Sequence, residues 1–158
     1  MNRLRIVEQI TIGAPAESVW AVIADPETHT EWRPAVIELT LITPPPMRVG
    51  SQLREVVRFA GRPLELADTV TRLEPPHVLG IDGVSKATAF GLELRLEPVE
   101  GGTLTTFDWW LEPRSMLMRT AAPLLRRPLH KATAEELELL RAYVERRGGS
   151  GTNTLVSR

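Results

Sequence analysis

The stretch GAPAESVWAVIADPETHTEWRP, Gly13 to Pro34, decides how the rest of the chain is read. Pro15 suits the first position of a helix, where a missing N–H costs nothing, and Glu17 faces the positive end of that helix. Val19, Trp20, Ile23 and Ala24 form its apolar stripe. Asp25-Pro26 stops it, because a residue before proline avoids helical ψ. Pro26 then opens a second, shorter helix through about Glu31, and Trp32 follows.

Alternating segments lie on both sides of this helix pair. Leu4, Ile6, Ile10 and Ile12 alternate with polar residues upstream, with Glu8 falling on the apolar face. Downstream, Ile37, Leu39 and Leu41 form the apolar side of a second strand, and TPPPMRVG, Thr43 to Gly50, makes a stiff loop. A hairpin turning at Ala60-Gly61 sets Leu53, Glu55, Val57 and Phe59 on one face with Leu64, Leu66, Asp68 and Val70. His77 to Gly83 supplies a fifth strand. A final hairpin turns at Glu100-Gly101, placing Phe90, Leu92, Leu94 and Leu96 beside Thr105, Phe107, Trp109 and Leu111. A one-residue slip would bury Asp108 and expose Phe107 and Trp109, so the first register is preferred. Trp110 then points outward, available to a partner or a second copy.

Beyond Pro113 the pattern is helical: Leu117, Ala121, Leu124, Leu125, Leu129, Ala132, Leu137, Leu140 and Val144 recur at steps of mostly three and four. Pro123 and Pro128 must kink or interrupt its first half. The expected architecture is α+β: a curved seven-stranded antiparallel sheet around a long carboxy-terminal helix, with the two short helices plugging the sheet's end. Residues 1–147 form one domain and 148–158 a flexible tail.

Bulk properties agree. The chain has 158 residues, a formal charge of −1 and 42% hydrophobic residues, enough for one real core. That balance selects neither nucleic acid nor an anionic membrane through the field of the whole protein. No apolar run approaches the ~18 residues of a membrane span. The absence of cysteine rules out disulfides and thiolate metal sites and fits the cytoplasm.

Three acids, Glu8, Glu55 and Asp68, point inward on these registers. A buried carboxylate must be paired, hydrated or neutral. Glu55 is diagonal to Asp68, close enough to share a proton as a general acid and base. Alternatively the acids sit in water at a mouth, or Arg72, on the same face, neutralises Asp68. His29, His77 and His130 share no metal-ligand spacing, and no cofactor motif is present. His29 reads as a surface residue of a short helix, and His77 as a loop residue at a rim. Arg126 to Lys131, RRPLHK, reads as a solvated helix face.

The element order and three segments resemble the START-like (helix-grip, SRPBCC) superfamily: ITIGAPAESVWAVIADPETHTEWRP, LEPPHVL and LEPVEGGTLTTFDW. The branch they are most similar to is that of polyketide cyclases/dehydrases and lipid transport. The resemblance covers most of residues 4–147 and rests on scaffold residues. It implies a deep apolar cavity between sheet and long helix that holds a hydrophobic ligand of polyketide, lipid or isoprenoid type. Phe59, Leu66, Phe90, Leu92, Phe107, Trp109, Met118 and Leu125 are its expected lining, with the Thr43–Gly50 loop and Met116 and Met118 as a gate. Enzyme, carrier, and interaction module with a filled interior all stay open, in a monomer or homodimer.

Overall fold

The computed structural model describes residues 3–150. Seven antiparallel strands follow the expected order: β1 Leu4–Ile12, β2 Val36–Leu41, β3 Gln52–Phe59, β4 Arg62–Glu74, β5 Val78–Val84, β6 Thr88–Val99 and β7 Gly102–Pro113. They form one sheet in the order β1-β7-β6-β5-β4-β3-β2. Between β1 and β2 lie α1 (Ala16–Ile23), a 3₁₀ turn (Pro26–Thr28) and α2 (His29–Trp32), and α3 (Met116–Ser150) closes the chain.

The helix pair has the predicted physical origins, with small shifts. Pro15 caps α1 from extended geometry (φ −62°, ψ 154°) rather than occupying its first turn, and the Asp25 side chain accepts from the Glu27 amide to start the 3₁₀ turn. Ala16, Val19, Val22 and Ile23 are the buried stripe of α1, while Trp20 is only half-buried. Both hairpins take the predicted registers: Phe59 opposes Arg62, and Val99 opposes Gly102. Ala60 and Gly61 both adopt positive φ (49° and 77°), the twist that joins two strands with two residues. Glycine is the residue that reaches this region without penalty.

Two bulges overturn local expectations. One between Val36 and Glu38 turns Val36 inward and leaves Ile37 45% exposed. Another between Val70 and Arg72 rotates Arg72 to the outer face, where it pairs with Glu74 and Glu93. Arg72 therefore does not neutralise Asp68.

The apolar core gathers mainly under the second half of α3. Leu137, Leu140 and Val144 pack with Ile12, Val19, Ile23, Trp32, Leu53, Val70 and Leu96. A smaller cluster of Leu4, Ile6 and Leu111 takes in Phe90, Trp109 and Leu129. The first half of α3 departs from the expected stripe: Leu117 and Leu124 are each 80% exposed. Both prolines sit inside an uninterrupted helix, which runs two residues past Gly148. The expected tail from 151 onward lies outside the described residues. No helix of the described residues is long and apolar enough to cross a membrane.

Candidate functional site

Between the two core clusters lies a cavity of about 210 Å³. The sheet contributes Glu55, Val57, Leu66, Phe90, Phe107 and Trp109, α3 contributes Leu129, Ala132, Thr133 and Glu136, and Arg33 enters from the end of α2. Four of the eight expected lining residues, Leu66, Phe90, Phe107 and Trp109, are present. The others fall elsewhere. Phe59 is 40% exposed at the β3–β4 tip. Leu92 shares the inner face, opposite Trp109, outside the cavity wall. Met118 and Leu125, half-buried on the first half of α3, do not reach it either. Nor does the Thr43–Gly50 loop gate it. Met47 packs against the main core, and Gly50 donates its amide to Val70 at the other end of the sheet.

One wall is aromatic and held in place. Phe107 and Trp109 stack at 6.3 Å, and the Trp109 indole donates to Thr133 Oγ1 at 3.0 Å. Thr133 in turn donates its hydroxyl to the Leu129 carbonyl at 2.7 Å, so Trp109 clasps sheet to helix across the cavity. Phe90 depends on Gly83 of the neighbouring strand. A Cβ there would stand 2.2 Å from the Phe90 ring and 2.4 Å from Asp68 Oδ1.

The opposite wall is ionic. Arg33 Nη1 donates to Glu55 Oε1 at 3.0 Å, and Arg33 Nε lies 2.9 Å from Glu136 Oε1, close as an ion pair but off the hydrogen-bond axis. Burial works against the guanidinium charge, yet Glu136 and Glu55 together hold its pKa above the usual arginine value. Arg33 also approaches His29 Nδ1 at 3.2 Å, and His29 Nε2 lies 3.0 Å from the Ile23 carbonyl. Since arginine only donates, Nδ1 must accept, and the ring proton sits on Nε2. His29 is 8% exposed, correcting its reading as a surface residue. Burial first, and the Arg33 charge second, push its pKa down to about 3, so it stays neutral.

Behind Glu55 lies Asp68, 4% exposed, on the adjacent strand. Burial first, then the Glu55 charge and a hydrogen bond to Glu55, push its pKa up to about 8. Asp68 therefore keeps its proton up to about pH 8, one diagonal step from Glu55 across the β3–β4 hairpin. Its Oδ1 has no partner among the described residues. Only Glu55 of the two faces the cavity.

Glu8 is a separate matter: its Oε1 lies 2.7 Å from His130 Nδ1, at the partly exposed join of β1 and α3. His77 is exposed, with Nδ1 3.4 Å from the Leu96 carbonyl. No cluster of metal-binding side chains exists among the described residues. Trp110 faces outward as expected, covered by the Arg3 guanidinium 4.0 Å above its ring.

The family model described as polyketide cyclase / dehydrase and lipid transport matches residues 3–145. The chain belongs to that family. Its fold is shared by Zhui aromatase/cyclase from Streptomyces sp. R1128, with a TM-score of 0.78 at 17% identity over 92% of this chain and 96% of that one. A START superfamily protein from Mycobacterium smegmatis gives 0.76 at 16% identity, covering 90% and 97%. The di-domain ARO/CYC StfQ from the steffimycin biosynthetic pathway gives 0.77 at 14% identity, with 93% of this chain matching 52% of that one. At such identities the likeness is one of fold. Among curated proteins, none matches the chain in sequence.

Arg33, Thr133 and Glu136 were missed by sequence reasoning. Thr133 and Glu136 fall three apart on one helix face, a signal available in the sequence. Arg33 has no such signal, since it follows a one-turn helix and obeys no period.

Proposed function

We propose that this family member binds a compact, mostly apolar guest carrying a carbonyl oxygen in the cavity beneath α3. The supporting observation is the division of the lining: Phe90, Phe107, Trp109 and Leu66 on one side, and Arg33 with Glu55 on the other. Aromatic walls take up the guest's rings, and a guanidinium fixes its oxygen. The volume of about 210 Å³ lies below the ~300 Å³ at which ordinary ligand pockets begin, which favours one or two fused rings over an extended acyl chain. The unfilled space speaks against an interaction module with a solid interior.

The same wall supports chemistry on a β-hydroxy ketone. The Glu55 carboxylate takes the proton from the carbon beside the carbonyl, and Arg33 stabilises the negative charge that develops on the oxygen. The β-hydroxyl then leaves as water with that proton returned by Glu55, giving the unsaturated ketone. Asp68 acts through Glu55, holding a proton behind it and never touching the guest.

Calorimetric titration with a bicyclic aryl ketone such as α-tetralone tests the reading. Saturable binding is expected, and Leu129→Trp, which fills the cavity from α3, abolishes it while leaving the circular dichroism spectrum unchanged. If neither this ketone nor naphthol binds to the unaltered protein, the guest reading fails. Ketone binding with no turnover of a β-hydroxy ketone by the parent would leave a carrier, and turnover unchanged in Glu55→Gln would remove Glu55 as the base.

A further inference from the structure

An overall charge of −1 conceals a marked segregation. From Pro113 to Ala134 the chain carries no acidic residue, while Arg114, Arg119, Arg126 and Arg127 are all exposed. The sheet's topology adds more cations at the same end. Residue pairing brings the β3–β4 tip, the β5–β6 turn and the end of β7 together there, and they present exposed Arg58, Arg62 and Lys86. None of these seven forms an ion pair among the described residues. Glu112 and Glu65, the chain neighbours of Arg114 and Arg62, are already engaged by Arg3 and Arg54.

The same end displays the most exposed large apolar side chains among the described residues. Met116 is 75% exposed, and Leu117 and Leu124 80% each, with Phe59 at 40% on the hairpin tip. Leu117, Ala121, Leu124, Leu125 and Pro128 recur at helical spacing along one side of α3. Ala122 and Leu129, seven residues apart, mark a different side, which faces the protein. The first half of α3 thus has two apolar sides, one spent on the fold and one facing solvent.

We propose that this end of the molecule, the β3–β4 tip together with the first half of α3, docks on the surface of an anionic lipid bilayer. Cations of this number seat on acidic headgroups, and the leucine stripe enters the acyl boundary. The protruding side chains favour a bilayer over a protein partner. A bilayer accepts such highly exposed groups without shape complementarity, and the cations around them match its acidic headgroups. The inference concerns a surface outside the cavity and does not depend on the guest reading.

Vesicle co-sedimentation of the full chain provides the test, using phosphatidylcholine vesicles with and without phosphatidylserine. Binding is expected only with phosphatidylserine and should weaken as salt is raised. Arg126→Glu with Arg127→Glu should lower vesicle affinity by at least about tenfold. Leu117→Glu with Leu124→Glu should do the same, and since all four positions are exposed, both variants keep the melting temperature of the parent. No sedimentation with phosphatidylserine vesicles overturns the proposal, as does equal binding by both variants. A loss confined to the arginine pair overturns the entry of the leucine stripe into the acyl boundary, leaving contact with the headgroups alone.

Discussion

Asp68 makes the stability of this protein depend on pH in a direction opposite to that of a paired carboxylate. Its carboxyl is pushed up from 3.8 to about 8 in the folded chain, by burial first and the Glu55 charge second. Between those values the folded chain keeps a proton that the unfolded chain has released. Stability from this group is therefore full below pH 3.8 and declines as pH rises to about 8. Asp68→Asn removes the decline. Urea unfolding at a series of pH values should show the variant gaining on the parent by on the order of a few kcal/mol across that window. Parallel curves would mean that Asp68 ionises as an ordinary aspartate. The closeness of Glu55 and Asp68 was legible from hairpin arithmetic alone. The identity of their counter-charge was not, because a single inserted residue in β4 turns Arg72 away and Arg33 arrives from a segment without periodicity.

At the scale of elements, α3 is one helix performing two tasks. Leu140 is 1% exposed in the main core, whereas Leu124 is 80% exposed, although both sit on the same apparent apolar stripe of the sequence. Leu140→Ala should cost about 2–5 kcal/mol in denaturant unfolding, and Leu124→Ala should stay within about 0.5 kcal/mol. Equal costs would mean that the first half packs as tightly as the second. Helical periodicity reports that a face is apolar but not what covers it, so the stripe through Leu117, Leu124 and Leu125 does not by itself say which of them the sheet buries. The strands were read more accurately, because one register alone keeps Phe90, Leu92, Leu94 and Leu96 beside Phe107 and Trp109.

Over the whole molecule, the order of elements was readable because each of the Gly13–Pro34 breaks has a local cause. The cavity was readable only as a consequence of resemblance, since its walls come from four strands, α3 and the end of α2, which no short window contains. The sheet order β1-β7-β6-β5-β4-β3-β2 carries a last consequence, for the route by which the chain assembles. Every pairing from β2 through β7 joins strands adjacent in sequence and can zip up by short steps. The β1–β7 pairing alone must close a loop from Ile12 to Thr103, and its entropic cost falls due before any contact repays it. Pulse-labelled hydrogen exchange during refolding should therefore find the amides of Leu4–Ile12 protected last, after those of the two hairpins. Early protection of those amides would point to a nucleus formed by the chain's two distant ends.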